Sequence, residues 1–292
     1  MLNNNSIPIF VSTTAIGSEN LNTIVKRFNK FGIKNIELSY GIYEKNFEKS
    51  LKKLYKKNNF IFHNYFPKPE KDFVINLASL NKKIRTRSLE FIKKNIDISS
   101  KYKMKFYSFH AGFLIDPKPQ SLGKVIPKVL VQPREKSIKI FISSINILSR
   151  YAKKKKVKLF IENNVISKKN LQKFKKNPLL MTEPNEIKNI MTKLPKNVKL
   201  LMDVAHLKVS SETLKFNLIK SFKDLKKFIG AYHLSDNNGI IDDNKDIRKN
   251  SWFINLISFA DFVSIEVANK DLKKIKNQFN LIQKKISKLN VK

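Results

Sequence analysis

The chain has 292 residues, 41% of them hydrophobic, and no cysteine, which allows a sizeable core and excludes disulfides and thiolate metal sites. Its 59 basic and 23 acidic residues give a net charge of +36, which favours anionic partners such as sugar phosphates, nucleic acid or anionic lipid surfaces. Because the lysines are spread along the whole chain, biased codon usage is the alternative explanation of this charge.

The beginning of the sequence carries no recognisable targeting signal. Residues 1–6 have no basic region, and the apolar run Ile7–Val11 is too short for a signal peptide or a membrane span. These features predict a cytoplasmic protein without a membrane span.

Short apolar runs alternate with segments of helical periodicity from the N-terminus onward. The first run covers residues 7–12, and Ser18 then predicts the N-cap of a helix. Three further runs end at Leu38, His63 and His110, and each predicts a buried strand followed by a helix.

The second half of the chain continues this alternation after a long insertion. A proline-rich segment at about 111–133 follows the fourth strand, and a loop of this length predicts a lid or a binding loop. Four more apolar runs follow, with one helix predicted from Leu214 to Leu225 between the sixth and the seventh. Eight strand–helix units without a linker predict an α/β fold, a (β/α)₈ TIM barrel formed by a single domain over residues 1–292.

The last four predicted strands each end in a side chain that can bind metal or transfer a proton, namely Glu162, Asp203, His233 and Glu266. Catalytic groups of such barrels lie at the C-terminal ends of the strands. Asp203 alone is explained equally well as a cap of the following turn, but four such strand ends favour one shared site. Three carboxylates and one imidazole suit one divalent ion, Mn²⁺, Mg²⁺ or Co²⁺, with Zn²⁺ as the alternative.

The chain has four histidines, and each lies at or three residues beyond a predicted strand end: His63, His110, His206 and His233. This placement favours a functional site over scattered structural roles. Lys208 and Arg248 lie on segments near the same end, where they either hold a phosphate or form solvated surface. Glu37 ends the second strand and is predicted to pair with a lysine rather than to orient substrate.

The predicted metal site has a direct chemical use. A divalent ion that chelates a carbonyl and a neighbouring hydroxyl of a sugar acidifies the intervening C–H bond and stabilises an enediolate. A carboxylate on either face of that carbon can then remove and return the proton.

Four motifs resemble the xylose isomerase-like TIM-barrel superfamily, namely Ile161-Glu162-Asn163, Asp203-x-x-His206, His233-Leu234-Ser235-Asp236-Asn237 and Ile265-Glu266. That superfamily holds sugar and sugar-phosphate isomerases and epimerases, and also the endonuclease IV repair enzymes. In the ketose 3-epimerase branch the four matching positions hold one divalent metal. The resemblance therefore implies that Glu162 and Glu266 are the acid/base pair and that His206 contacts the substrate, with His63, His110, Lys208 and Arg248 as further substrate-binding candidates.

The endonuclease IV branch implies a different use of the same barrel. There, histidines matching His63 and His110 hold a second zinc, and a third needs an Asp-x-His motif where this chain reads Asp242-Asp243-Asn244. The sequence thus predicts a metal-dependent isomerase or epimerase of a small-molecule sugar or sugar phosphate. The alternatives are an endonuclease IV-like phosphodiesterase acting on abasic DNA, and a barrel that binds a carbohydrate without turnover.

Overall fold

The computed structural model describes residues 7–17, 19–39 and 41–289. Eight parallel strands close into a barrel in chain order, with β8 pairing with β1. The predicted (β/α)₈ fold is therefore confirmed. The strands are β1 (Ile9–Ser12), β2 (Asn35–Leu38), β3 (Asn59–His63), β4 (Phe106–His110), β5 (Lys158–Glu162), β6 (Val198–Asp203), β7 (Ile229–Leu234) and β8 (Phe262–Ile265).

The described residues form nine α-helices, which lie outside the barrel. None of them combines the length and the hydropathy needed to cross a membrane. They are α1 (Leu21–Lys30), α2 (Phe47–Leu54), α3 (Lys82–Lys101), α4 (Arg134–Lys154), α5 (Lys168–Phe174), α6 (Pro184–Thr192), α7 (Val204–Leu214), α8 (Leu218–Leu225) and α9 (Leu272–Ser287).

Three predictions about helices need correction or fall outside the structure. The single helix predicted from Leu214 to Leu225 is wrong, because Lys215 adopts a left-handed φ of 61° and Asn217 caps a new helix. The prediction that a helix follows every strand is also wrong. The fully described segment 235–261 between β7 and β8 contains turns and no α-helix. Ser18 lies outside the described residues, and the side chain of Asn20 caps α1.

A compact apolar layer fills the interior of the barrel. Side chains two residues apart on a strand face the same side, so the layer lies directly beneath the strand ends, where Phe160 precedes Glu162 and Leu201 precedes Asp203. The rings of Phe160 and Phe262 pack edge to face with centroids 5.1 Å apart. The layer consists of Phe10, Ile61, Phe160, Leu201, Ala231 and Phe262. It forms an apolar base beneath the residues at the strand ends.

The long segment between β4 and α4 spans residues 111–133, and both of its ends are hydrogen-bonded to the segment between β3 and α3. The buried amide of Asn76 donates to the carbonyl oxygens of Phe113 and Ile115, at 3.1 and 3.0 Å. The Asp116 carboxylate accepts from Asn76 and, near the far end of the segment, from Gln132. Between these anchors the tip at 123–130 is mostly exposed.

Candidate metal and active site

The four residues predicted as metal ligands meet at the C-terminal end of the barrel. Glu162 and Asp203 end β5 and β6, His233 lies in β7, and Glu266 directly follows β8. One ligand atom from each lies within 4.8 Å of the others. Glu162, Asp203 and His233 have fully buried side chains, and that of Glu266 is 13% exposed. We call these four residues the quartet.

His233 is at the centre of the quartet. Its Nδ1 lies 2.7 Å from Oε2 of Glu266 and 3.3 Å from Oε1 of Glu162. Oδ2 of Asp203 is 4.0 Å from the same nitrogen. Three carboxylates from three different strand ends therefore surround one imidazole nitrogen.

Unpaired oxygens show that these residues fit a divalent ion. Oδ2 of Asp203 is buried without a hydrogen-bond partner among the described residues, and Oε2 of Glu162 makes no hydrogen bond there although two histidine nitrogens lie 3.3 Å away. A buried carboxyl oxygen without a hydrogen-bond partner is unfavourable, and it is more unfavourable when the group is ionised. Mn²⁺, Mg²⁺, Co²⁺ and Zn²⁺ all accept carboxylate oxygen and imidazole nitrogen, and such an ion bound within the quartet would satisfy both oxygens.

The electrostatics of the quartet separate its carboxylates into two kinds. Burial raises the pKa of Asp203 to about 8, against a partial opposing effect of the His206 charge. Burial acts in the same direction on Glu266, but the charge of His233 and its hydrogen bond prevail and lower that pKa to about 2. For Glu162 the surrounding histidines, with a hydrogen bond from His233, likewise outweigh burial and hold the pKa well below its usual range. At neutral pH both glutamates are therefore ionised.

A second group of possible ligands shares Glu162 with the quartet. Nε2 of His63 and Nδ1 of His110 each lie 3.3 Å from Oε2 of Glu162. The three ligand atoms lie within 4.8 Å of one another. Burial lowers the pKa of His110 to about 4, so its ring is neutral at physiological pH and keeps a lone pair for a ligand. The structure thus brings His63 and His110 together with the quartet.

His206 lies beside the quartet and has partners of its own. Its Nδ1 donates to the carbonyl oxygen of Asn163 at 2.8 Å, and its Nε2 lies 3.0 Å from Oδ2 of Asp242. Although burial lowers it, the pKa of His206 is held well above its usual range by the charges of Asp203 and Asp242. His206 is therefore a cationic donor at the edge of the site.

Asp203 has both of the functions weighed from the sequence. Its Oδ1 caps α7 by accepting from the backbone N–H of His206 at 2.7 Å, while Oδ2 belongs to the quartet. The Asn163 side chain fixes this turn, since its Oδ1 accepts from the backbone N–H of Asp203 and its Nδ2 donates to the Asp203 carbonyl. This function of Asn163 is not evident from the sequence, although the residue stands in the motif after Glu162.

Two further supporting residues were missed or misread from the sequence. The prediction that Glu37 pairs with a lysine is wrong, because Glu37 is fully buried and contacts His233 and Ser264 instead. Thr14 donates to Oε1 of Glu266 at 3.1 Å and was not predicted at all. A charged residue inside the apolar run of β2 was the only sequence signal for Glu37.

Lys208 and Arg248 lie together but apart from the quartet. They line a cavity of about 320 Å³ whose lining does not include any quartet residue. Nζ of Lys208 donates to Oδ1 of Asp236 at 2.8 Å and to the carbonyl oxygen of Asn237. The suggestion that these two cations hold a phosphate stays a prediction.

Asp242 and Asn244 show how the segment after β7 departs from an Asp-x-His motif. Asp242 reaches His206, as described above. Oδ1 of Asn244 accepts a hydrogen bond from the Ser235 hydroxyl at 2.9 Å, and Asn244 has a left-handed φ of 45°. Asn244 therefore stabilises the turn after β7.

The fold resembles many solved structures at low sequence identity. A D-tagatose 3-epimerase-like protein is 17% identical with a TM-score of 0.74, and the match covers 97% of this chain and 98% of that one. A D-psicose 3-epimerase from Clostridium cellulolyticum, solved with D-tagatose, is 11% identical with a TM-score of 0.63 and coverages of 97% and 96%. At these identities the similarity concerns the fold.

A third solved structure is a xylose isomerase-like TIM barrel protein from Mycobacterium smegmatis in complex with magnesium. It is 10% identical with a TM-score of 0.69, and the match covers 97% of each chain. No curated protein sequence matches the chain. The family model of the xylose isomerase-like TIM barrel matches residues 25–281, and the chain therefore belongs to this family.

Proposed function

We propose that this chain is a divalent-metal-dependent isomerase or epimerase that acts on a sugar or sugar phosphate through an enediolate. The observation that carries the proposal is the quartet itself, with Oδ2 of Asp203 buried and unpaired beside His233. Sugar epimerases among the structures with the same fold support the substrate class.

In this proposal the quartet holds one ion, which polarises neighbouring sugar oxygens and so acidifies the C–H bond between them. Glu162 and Glu266 are ionised in the metal-free site, so each can accept a proton from that carbon. They come from strands three places apart in the barrel and can therefore act on two faces of the carbon. Thr14 holds Oε1 of Glu266 in place.

The remaining histidines bind and orient the substrate in this proposal. His206 is cationic and donates to a sugar oxygen from the edge of the site. His63 and His110 border Glu162, where neutral imidazole can accept from or donate to a hydroxyl group. The apolar layer beneath the strand ends excludes water from the barrel side of the site.

Metal content and isotope exchange test the proposal. Protein purified without added metal is expected to hold one divalent ion per chain. With a panel of ketoses and ketose phosphates in deuterium oxide, it should place deuterium on the carbon next to the carbonyl. Exchange absent from the whole panel in the metal-loaded protein would contradict the proposed reaction.

A second candidate function is cleavage of abasic DNA by an endonuclease IV-like mechanism. The grouping of His63, His110 and Glu162 favours it, because these three residues could hold a second ion. The net charge of +36 also favours a polyanionic substrate. Two or three zinc ions per chain, together with cleavage of an abasic oligonucleotide, would place this function first.

The cytoplasmic setting and the single domain over residues 1–292 stay predictions.

The anchored segment 111–133 allows the lid hypothesis to be tested without disturbing the barrel. Replacing residues 118–130 by a short glycine–serine linker keeps the anchors at Asp116 and Gln132. We expect kcat/KM to fall about 10-fold or more, because substrate closure and water exclusion are lost. The barrel should stay folded with a modest fall in the thermal unfolding midpoint, because the replacement removes Ile126 from a small cluster outside the barrel with Ile115 and Phe174. Unchanged kinetics in a folded variant would contradict a lid.

A further inference from the structure

Glu37 is a buried carboxylate whose two oxygens are both engaged by residues near the ligand cluster. It ends β2 and is fully buried. Its Oε1 accepts from Nε2 of His233 at 2.9 Å, and its Oε2 accepts from the hydroxyl of Ser264 at 2.6 Å. Since the partners come from β7 and β8, the side chain crosses the barrel interior to reach them.

These contacts decide which nitrogen of His233 faces the quartet. In the 2.9 Å contact Nε2 of His233 donates to Oε1 of Glu37, whose other oxygen already accepts from Ser264. Nδ1 on the other side of the ring then faces Glu266, Glu162 and Asp203. The ring is therefore already oriented so that Nδ1 can ligate an ion held among these three carboxylates, without any rotation.

Glu37 is poorly placed to be a ligand itself, although it lies within 4.8 Å of His63 and His233 ligand atoms. Ser264 and His233 already donate to its two oxygens, and Ser264 is itself fully buried. By contrast, Oδ2 of Asp203 has no hydrogen-bond partner among the described residues. Both oxygens of Glu37 are thus occupied by hydrogen bonds, whereas Asp203 has one oxygen that forms none.

We propose that Glu37 is a positioning residue that fixes the orientation and the tautomer of His233 for a divalent ion, with Ser264 fixing Glu37 in turn. The inference rests on the proposed function, because it presumes that the quartet binds metal. Carboxylate partners of ligating histidines typically contribute about 10–100-fold to metal affinity. Glu37 therefore acts through His233 and need not touch the substrate.

Zn²⁺ affinity, measured by competition with a chromophoric chelator, tests this function. Glu37→Leu removes the acceptor, and the affinity is expected to fall about 100-fold. Glu37→Gln keeps the shape and one acceptor oxygen, so the fall should be nearer to 10-fold. Ser264→Ala should have a smaller effect of the same sign. As a matched control, Glu186→Gln removes a carboxylate that pairs with Arg134 and the Met181 N–H, and it should leave the affinity unchanged.

A spectroscopic measurement separates positioning from a general structural effect. In zinc-loaded protein labelled with ¹⁵N-histidine, His233 should show a metal-bound Nδ1 and a slowly exchanging proton on Nε2, because its side chain is fully buried. Glu37→Leu should shift this signal and speed its exchange. With four histidines in the chain, the spectrum is simple to assign. Circular dichroism and thermal unfolding in a chelator verify that each variant is folded.

The outcomes distinguish this inference from the function on which it rests. If the native protein binds no divalent ion, the proposed metal site and the positioning function of Glu37 are both overturned. If the native protein binds Zn²⁺ and folded Glu37→Leu and Glu37→Gln bind it equally well, only the positioning function is overturned. Graded losses with an altered His233 signal support it.

Discussion

Glu162→Gln and Glu266→Gln are each expected to keep appreciable metal and to lose turnover by roughly 10²–10⁴-fold, the range for lost acid/base catalysis. Glutamine keeps the size of the side chain and one oxygen ligand, but it has no group that titrates. Both native carboxylates are ionised at neutral pH, so each loses its function as a base on substitution.

The two variants can be told apart by following isotope exchange as well as product. In an epimerase with one base on each face, either substitution stops epimerisation, but the intact glutamate can still exchange the hydrogen on its own face. In an aldose–ketose isomerase that relays a proton on one face, only one of the two variants loses exchange. Metal content measured on the same samples is the control. Full activity in a metal-loaded variant would exclude that glutamate from the acid/base pair.

The strand-end pattern made much of the candidate site predictable from the sequence. All strands of a parallel barrel run the same way, so residues that end successive apolar runs meet at one end whatever their separation in the chain. Glu162 and Asp203 are 41 positions apart in the sequence, yet each is within 4.0 Å of Nδ1 of His233. The apolar runs and the chemistry of the residues that end them therefore predict this meeting.

The supporting contacts depend on geometry that the pattern does not encode. Glu37 reaches His233 across the barrel, and Asp242 reaches His206 from a segment without helix or strand. Neither contact follows from strand order. The break between α7 and α8 was missed for a local reason, because apolar residues at Leu214 and Leu218 keep helical spacing across a left-handed turn at Lys215.

Asp203→Asn should weaken metal binding by more than about 100-fold, the upper range for groups that only support a ligand. Unlike the two glutamines, this asparagine uses its oxygen for the cap with the His206 N–H, so its NH₂ group, which is not a ligand, replaces Oδ2 at the ion site. The same substitution should stabilise the metal-free protein at neutral and higher pH. Asparagine is as good an N-cap as aspartate, so α7 keeps the hydrogen bond from the His206 N–H. What disappears is a buried carboxylate oxygen without a hydrogen-bond partner among the described residues.

The pH dependence of this stabilisation follows from the pKa of Asp203, which burial raises to about 8 in the folded chain. An unfolded aspartate has a pKa of about 3.9. Between these values the folded state binds the proton that the unfolded state has released, so ionisation of Asp203 lowers stability as pH rises. This effect amounts to roughly 1.4 kcal/mol for each pH unit and ends near pH 8. Below about pH 4 the carboxylate is neutral in both states and the effect vanishes.

Urea unfolding of native and Asp203→Asn protein in a chelator should therefore give similar free energies near pH 4 and a growing advantage for the variant up to pH 8. Adding Mn²⁺ should reverse the order, because only the native protein gains the free energy of binding the ion to its folded state. The difference between the two proteins at each pH removes the contribution of groups that titrate alike in both. A variant less stable than the native protein in the chelator at pH 8 would show that the Asp203 charge is compensated without metal, and the quartet would lose its principal support as an ion site.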